Sequence, residues 1–390
     1  MIKIQWTSIL QPFASKMRFL FIIQGEGRGH LTQAISFAQL IRSQGHELVS
    51  VIVGKSKRRE LPDFFKKEIA VPILMVDSPN FECDASDKKI QLGKTIWKNT
   101  LRLPVFWKSI QTIDREVQAA QPDVILNFYD LLGGFYNLIF RPKAKFWVIG
   151  HQYLIRHPDF HFAPNRPVEK FLFQLNTRMT AFGVDEVLAL SFFPQETISA
   201  KFRVVPPLLR IEVKTLTPSQ SEFYLAYLVN PGYGEEVVRF AKKYPNLQIK
   251  AYWDKKGAAE TELPLPNLSF HQVHDKRFLE DMAACKGLVC TAGFESVCEA
   301  MYLGKPVMMI PVAGQYEQAC NALDAEASGV GIQSSDFDFG KLDRMQKKDP
   351  EGSLNFQQWT TSWPQILSEI TKVEEETFEE TSPNPTPAFH

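Results

Sequence analysis

Residues Cys290–Ala322 read CTAGFESVCEAMYLGKPVMMIPVAGQYEQACNA. The apolar run Gly287–Cys290 predicts a short buried strand, and Thr291–Gly293 then turns the chain into a helix that starts near Phe294. Unpaired amide N–H groups and the positive end of the helix dipole meet at such a junction, where glycine allows close backbone approach. The stretch therefore predicts a strand, turn and helix that together bind an anion such as a diphosphate.

Four polar side chains follow the turn at spacings that suit a ribose and a sugar. Ser296 and Glu299 are three positions apart, so they share one helix face, where the carboxylate can accept both ribose hydroxyls. A second strand, Pro306–Pro311, precedes Glu317 and Gln318 in a loop or first helical turn, and a carboxylate beside an amide suits sugar hydroxyls. Because a lone Glu299 is more often a solvated helix residue, the spacing of the whole set carries the prediction.

This segment resembles the donor-binding signature of inverting glycosyltransferases with the two-domain GT-B fold. Parallels include the plant and macrolide UDP-sugar transferases and the peptidoglycan N-acetylglucosaminyltransferase. The plant turn reads His-Cys-Gly-Trp-Asn-Ser with a Glu three residues later, and Thr291–Ser296 and Glu299 occupy those places. Thr291 replaces the histidine and Glu295 replaces the asparagine, while the later Asp-Gln pair becomes Glu317–Gln318.

The resemblance implies an α/β protein in which two doubly wound, Rossmann-like domains face a central cleft. It implies metal-independent transfer of a hexose, with the diphosphate against the glycine turn, the ribose against Glu299 and the sugar against Glu317 and Gln318. The resembled enzymes place the nucleobase where Val273 lies, so backbone groups there would read a uracil edge. The predicted donor-binding residues are Gly27, Gly29, Gly232, Val273, Thr291, Gly293, Phe294, Ser296, Glu299, Glu317 and Gln318.

A second glycine loop, Gly25–His30, follows the apolar strand Arg18–Gln24 and precedes a helical pattern over Leu31–Ser43. Its glycines at positions 25, 27 and 29 do not match the G-x-G-x-x-G dinucleotide fingerprint. In the resembled family this loop lies under the donor diphosphate, and its histidine removes the proton from the acceptor hydroxyl. Here that histidine is His30.

The chemistry explains why a histidine suits this position. Displacing a nucleoside diphosphate from an anomeric carbon needs a hydroxyl that loses its proton as it attacks, and imidazole titrates near neutrality. Direct attack inverts the anomeric centre. Asp130, which follows the strand Val124–Phe128, is the predicted carboxylate that fixes the tautomer of His30. Glu26 is a competing base in the same loop, and a lone histidine is more often structural than catalytic.

The sequence leaves other functions open. A nucleotide-sugar epimerase of the same fold would release an altered sugar without any acceptor. A non-catalytic nucleotide-sugar-binding protein would bind the donor and be indifferent to the loss of His30. A nicotinamide oxidoreductase ranks last because the dinucleotide fingerprint does not match.

Composition sets the broad class of the protein. A chain of 390 residues with 44% hydrophobic side chains is long enough for two domains. Lys plus Arg and Asp plus Glu number 44 each, so no global field attracts nucleic acid. The five cysteines form no CxxC pair, which predicts reduced thiols in a cytoplasmic protein, and no histidine lies at ligand spacing to them. No metal and no cofactor are predicted.

Alternating strands and helices form two blocks. We predict a leader or over-extended start at 1–16, an acceptor-binding domain at 17–210, a linker at 211–222, a nucleotide-sugar-binding domain at 223–352, a helix at 353–372 and a disordered acidic and proline-rich tail at 373–390. In the resembled fold the final helix crosses back to the first domain. Gly232 follows the first strand of the second block, where ligands gather in open sheets, although a plain turn explains it equally well.

Aromatic and basic residues mix in Leu101–Lys108 and Lys170–Phe173. Such a surface would suit a lipid-linked acceptor and peripheral contact with the inner face of a membrane. A folded core explains the same residues at least as well.

Overall fold

The computed structural model describes residues 16–55, 61–79, 99–255, 257–329, 331–343 and 350–381. Within them the strands form two separate seven-stranded sheets, and each sheet belongs to one of the two blocks seen in the sequence. The two-domain, doubly wound α/β architecture is therefore confirmed.

The first domain is a parallel sheet in the order β3-β2-β1-β4-β5-β6-β7. Its strands are β1 (Arg18–Ile23), β2 (Glu47–Lys55), β3 (Ile73–Asp77), β4 (Val124–Phe128), β5 (Lys145–Gly150), β6 (Glu186–Leu190) and β7 (Phe202–Val205). Its helices include α1 (Arg28–Ser43), α2 (Asp63–Ile69), α3 (Leu103–Ala120), α4 (Leu131–Phe140) and α5 (Pro167–Thr180). The strand order reverses beside β1, which is where ligands of open sheets bind.

The second domain follows the short helix α6 (Ile211–Thr215) and has the strand order β10-β11-β9-β8-β12-β13-β14. All pairs are parallel except β10 with β11 at one edge. The strands are β8 (Phe223–Leu228), β9 (Gln248–Trp253), β10 (Thr261–Leu265), β11 (Leu268–Gln272), β12 (Leu288–Cys290), β13 (Val307–Met309) and β14 (Gly331–Gln333). The helices include α7 (Gly234–Lys243), α8 (Asp275–Ala284), α9 (Phe294–Tyr302), α10 (Tyr316–Ala327) and α11 (Gly340–Asp343).

The strand β1 shows why the apolar runs form central strands. Phe19, Phe21 and Ile23 pack into one hydrophobic core, whereas Leu20 and Ile22 pack into another on the opposite face of the sheet. Helices cover both faces of the sheet, so the side chains on both faces of this strand are buried. A continuous run of apolar residues is the sequence pattern of such a strand. The described cysteines are buried too, and none of them is in a disulfide: Cys285, Cys290, Cys298 and Cys320.

Several predicted boundaries differ from the structure. The helix predicted from Leu31 begins at Arg28, because the glycine loop already adopts helical geometry there, and His30 therefore lies in the first turn. The helix predicted at 353–372 is two helices, α12 (Pro350–Thr360) and α13 (Trp363–Thr381). The disorder predicted from residue 373 is wrong as far as Thr381, because the glutamate-rich segment favours helix and extends one already formed.

Both ends of the chain reach beyond the described residues. The predicted leader lies outside them except for Lys16, and so do residues 382–390 of the predicted tail. In the part of the chain that is described, no helix combines the length and apolar character that crossing a bilayer demands.

The last helix joins the second domain to the first. The Trp363 ring packs edge-on against Phe37 of α1, with 5.8 Å between the ring centroids, and its indole N–H donates to the Pro207 carbonyl at 3.2 Å. Trp363 is only 4% exposed. Because a buried tryptophan with a satisfied N–H contributes both area and a hydrogen bond, this contact ties α13 to the first domain.

We expect Trp363→Ala to lower the free energy of unfolding by roughly 3–5 kcal/mol, since it leaves a large cavity at a domain junction. Urea denaturation followed by far-UV circular dichroism measures the loss. Trp107, which is 46% exposed, provides the matched control, and Trp107→Ala should cost clearly less. Equal losses for both variants would show that Trp363 is not a structural tie.

Candidate functional site

A cleft of about 220 Å³ lies between the two domains, and residues from both of them line it. The first domain contributes Gly27, Arg28, Gly29, His30, Thr32, Gln33 and Gln152, and Arg210 follows its last strand. The second contributes Tyr227, Val229, Val273, Phe278, Gly293, Phe294, Glu295, Ser296, Glu299, Glu317 and Gln318. The structure thus brings together most of the residues predicted from two distant parts of the sequence.

Among the helices that begin at this cleft, α1 and α9 have no capping side chain. The N-cap of α9 is Gly293 and that of α1 is Gly27, and neither helix receives a side-chain hydrogen bond at its cap. The first-turn N–H groups of a helix have no partner within it, and the helix dipole adds positive potential there. Both helix starts are therefore suited to an anionic ligand, and Ser296 stands in the first turn of α9.

His30 lies in the first turn of α1, and its side chain is buried. Its ring stacks on Tyr129 with 6.1 Å between centroids, and its Nδ1 atom lies 3.4 Å from Gln33 Oε1. Burial lowers the pKa of His30 to about 4, and the hydrogen bond to Gln33 opposes this shift only in part. The imidazole is therefore neutral at neutral pH, as a proton acceptor must be.

Asp130 does not contact His30, so the predicted His-Asp pair is absent between these two described residues. Its Oδ1 atom accepts from Leu132 N at 2.8 Å and caps α4, and its Oδ2 atom accepts from Ser78 Oγ at 2.9 Å. Burial raises the pKa of Asp130 to about 6. An aspartate directly after a strand is a preferred helix N-cap, and that local role holds its carboxylate away from the histidine.

Glu299 lines the cleft as predicted, but its carboxylate is paired. Oε1 of Glu299 lies 2.7 Å from Arg210, and the two side chains are 3% and 12% exposed. A ribose that reached Glu299 would therefore share this carboxylate with a buried guanidinium. Since Arg210 follows the first domain and Glu299 belongs to α9, the ion pair also joins the two domains.

Glu317 and Gln318 both lie in the first turn of α10, at the edge of the cleft. Gln152 donates to Glu317 Oε1 at 2.9 Å, again across the domains. Burial raises the pKa of Glu317 to about 7, while hydrogen bonds from Gln152 and Asn321 lower it in part. Oε1 of Gln318 accepts from Val312 N at 2.9 Å and thereby holds the loop before α10.

Two predicted site residues, Thr291 and Gly232, do not line the cleft, and a third, Val273, lines it with its N–H already hydrogen-bonded. Thr291 is fully buried behind the turn and does not line the cleft, because the strand end carries its side chain into the core. Gly232 lies in the 3₁₀ segment Pro231–Tyr233, and its neighbour Val229 lines the cleft instead. Val273 does line it, but its N–H already donates to the Trp253 carbonyl at 3.1 Å, so of its two backbone groups the carbonyl is the one that could accept from a ligand.

Among the polar residues of the cleft that sequence reasoning missed, three make hydrogen bonds with predicted site residues. Gln33 follows His30 by three positions and so shares its helix face, which is a signal that the helical periodicity already contained. Gln152 lies in the 3₁₀ helix His151–Arg156 after β5, Arg210 lies between β7 and α6, and no local pattern marks either residue. Glu26, the alternative base, is not part of the lining. Among the described residues, no cluster of His, Cys, Asp and Glu side chains is arranged to hold a metal ion.

Comparison with known proteins agrees with this architecture. The family model described as glycosyl transferase family 1 matches residues 17–350. No curated protein sequence matches the chain significantly. The chain is similar in structure to spinosyn rhamnosyltransferase SpnG complexed with thymidine diphosphate, with 12% identity, a TM-score of 0.58, and 91% of this chain and 100% of the other covered.

Two further solved structures are similar to the chain over almost their whole length. One is the calicheamicin glycosyltransferase CalG4, with 13% identity, a TM-score of 0.56, and 95% of this chain and 100% of the other covered. The other is MurG from Acinetobacter baumannii, with 14% identity, a TM-score of 0.53, and coverages of 92% and 99%. At such low identities these structures establish the fold, which is GT-B.

The buried Arg210–Glu299 pair yields a stability prediction. Glu299→Leu leaves the Arg210 guanidinium buried without its partner, so the free energy of unfolding should fall by roughly 3–5 kcal/mol in urea denaturation. The double variant Arg210→Met with Glu299→Leu should recover much of this loss. Asp63→Asn, which breaks the exposed pair with Lys66, is the control and should change little. A double variant as unstable as Glu299→Leu would contradict the prediction.

Proposed function

Because the chain belongs to glycosyl transferase family 1, a family of sugar-transferring enzymes, we propose that it moves a hexose from a UDP-linked donor to an acceptor hydroxyl. The transfer inverts the anomeric centre, needs no metal ion, and uses His30 as the general base. His30 and the uncapped start of α9 lie on opposite walls of one cleft, and this juxtaposition carries the proposal.

The donor would lie along the second domain. Its diphosphate would meet the N–H groups at the start of α9, near Gly293, Phe294 and Ser296, with Arg210 close by. The glycines of the α1 start would allow the same phosphates to approach from the other wall. The Val273 carbonyl would accept from a uracil N–H. The ribose would reach Glu299, and the sugar would reach Glu317.

The reaction follows from this placement. The acceptor oxygen forms its bond to the anomeric carbon from the face opposite the leaving diphosphate, and the bond between that carbon and the diphosphate oxygen breaks. The proton of the acceptor hydroxyl passes to Nε2 of His30, which is neutral at pH 7. The charge that develops on the leaving diphosphate is stabilised by the helix start and by Arg210 rather than by a metal.

A similar structure supports a nucleotide donor. SpnG is complexed with thymidine diphosphate, and that molecule belongs to the nucleoside diphosphates that we propose for this cleft. Thymine and uracil offer the same N–H and carbonyl edge, so the Val273 carbonyl suits either nucleobase. A panel of nucleotides therefore has to include both.

The donor is identified by calorimetric titration with nucleoside diphosphates and nucleotide sugars, first without metal and then with magnesium. We expect selective binding of UDP without magnesium. Products formed from the bound donor alone, without acceptor, separate transfer from epimerisation, because only an epimerase converts the sugar then. No binding across the panel would remove the proposed chemistry.

For His30→Ala we expect transfer to fall roughly 10²- to 10⁴-fold while the UDP dissociation constant stays largely unchanged. Burial holds the pKa of His30 near 4, so the base stays unprotonated above that pH. The wild-type kcat/KM should therefore decrease only as the pH falls towards 4. Exposed His161→Ala is the matched control and should transfer like the wild type. A His30→Ala variant that transfers normally would show that another group is the general base.

We also propose that the first domain contacts an anionic membrane surface and takes a lipid-linked acceptor there, at its cytoplasmic face. The helix α4 packs between α3 and α5 on one side of the sheet. These helices and Leu101, two residues before α3, expose large apolar side chains: Leu101, Leu103, Val105, Trp107, Leu138, Ile139, Val168, Phe171 and Leu175. This set, the apolar helical face, includes parts of both aromatic and basic segments noted in the sequence.

The exposed charged residues on or beside these three helices are basic, whereas the acidic Asp114, Glu116 and Glu169 are half-buried. Lys108, Arg141, Lys143 and Arg178 are exposed on or beside the three helices. The acidic Glu169 is neutralised by Arg166 at 3.4 Å. Exposed apolar side chains with a basic rim are the composition of a peripheral contact with anionic lipid, because area burial and charge attraction add.

We expect the protein to sediment with vesicles that contain phosphatidylglycerol and much less with pure phosphatidylcholine vesicles. Trp107→Glu with Phe171→Glu should weaken this binding roughly tenfold or more, since both charges would enter the lipid interface. Leu263→Glu is the control, because Leu263 is 74% exposed on β10 of the other domain. Equal binding of all three proteins would exclude the apolar helical face as the contact.

A further inference from the structure

The base His30 is connected to the opposite domain through two side chains. Its Nδ1 atom lies 3.4 Å from Gln33 Oε1, and Gln33 Nε2 donates to Glu295 Oε1 across the cleft. Gln33 is 3% exposed, and Glu295 is half-buried on α9 with its Oε2 atom shielded from solvent and without a partner. The three side chains form one continuous path from α1 to α9.

We propose that Gln33 and Glu295 are positioning residues that fix the tautomer of His30, and that they do so only when the two domains meet. The inference rests on the proposed function of His30. The sequence predicts Asp130 as the carboxylate that fixes this tautomer, but Asp130 caps α4 instead. The replacement comes from the second domain.

The direction of each hydrogen bond follows from the groups involved. Gln33 Nε2 donates to Glu295 Oε1, so the Gln33 amide turns its NH₂ towards Glu295 and its carbonyl towards His30. The Gln33 carbonyl can only accept, and Nδ1 of His30 must therefore carry a hydrogen. Neutral imidazole then has its lone pair on Nε2, which is the nitrogen needed to accept the acceptor's proton. Without Glu295, the Gln33 amide could rotate and lose this preference.

The close approach of Glu295 depends on a glycine. A Cβ atom at Gly29 would lie 3.1 Å from Glu295 Cγ, so the missing side chain lets Glu295 rest on the first turn of α1. Gly29, a predicted phosphate-binding residue, thus also leaves room for the Glu295 side chain. Burial raises the pKa of Glu295 to about 8, Gln33 and Arg210 oppose the shift, and Glu299 adds to it. A neutral Glu295 does not repel a diphosphate at the start of α9.

Histidine nitrogen spectroscopy tests the contacts without any activity. In protein labelled with ¹⁵N-histidine, the signals missing from His30→Ala identify His30. We expect a protonated Nδ1 and an unprotonated Nε2 in the wild type, and signals averaged between tautomers in Gln33→Leu. Gln39→Leu, at a half-buried glutamine of the same helix, should leave the signals unchanged. A protonated Nε2 in the wild type, or a Gln33→Leu spectrum like the wild type, would overturn the proposal.

Transfer kinetics test the consequence for catalysis. Gln33→Leu and Glu295→Leu should each lower kcat roughly 10- to 100-fold with little change in donor KM, and the double variant should be no worse than either. Glu295→Gln keeps an accepting oxygen and should restore most of kcat. Glu235→Gln, the same change at the second position of α7, is the control and should act like the wild type.

The outcomes separate the two levels of inference. Normal transfer by His30→Ala would refute the proposed base, whatever Gln33 does. Loss of transfer in His30→Ala with normal transfer in Gln33→Leu and Glu295→Leu would refute the positioning role alone. A Glu295→Leu variant whose only defect is a weaker UDP dissociation constant would also refute it, because the carboxylate would then serve the donor.

Discussion

Parallel strand pairing is the constraint on which the rest of this structure depends. In a parallel sheet the carboxyl ends of the strands lie on the same side, and the connections cross back, usually through a helix. Each sheet therefore has one edge where strands end and helices begin. The two domains meet at these edges, so the starts of α1 and α9 converge on one cleft. Residues that are more than two hundred positions apart in the chain become neighbours for this reason alone.

Burial then decides the chemistry of the cleft. A polar group that leaves water loses hydration, and it is tolerated only when another group replaces the lost hydrogen bonds. Here the replacements cross between domains, as in the pairs Gln33–Glu295, Gln152–Glu317 and Arg210–Glu299. The same burial lowers the pKa of histidine and raises the pKa of carboxyl groups, as for His30 and Glu295. The hydrogen bonds between the domains and the shifted pKa values are thus both consequences of the burial of polar groups.

Local patterns predicted the elements of the fold well. The strand Val124–Phe128 has the predicted ends, and the turn before α9 lies where Thr291–Gly293 placed it. Such elements depend on apolar runs and glycine turns, which act over a few residues. The disorder predicted from residue 373 was wrong up to Thr381, because composition alone does not account for a helix that begins earlier and continues. The edge strand β10 was not predicted, since its exposed sequence has no apolar run.

The sequence by itself determined the two blocks of strands and helices, the glycine turns at both helix starts, and the positions of His30, Ser296 and Glu299 on them. These features follow from local periodicity and from the backbone freedom of glycine. Only the tertiary structure decided which polar groups pair, because pairing depends on distances between elements remote in sequence. Asp130 comes after β4 and His30 lies at the start of α1, yet in the folded protein Asp130 caps α4 and His30 is hydrogen-bonded to Gln33 instead.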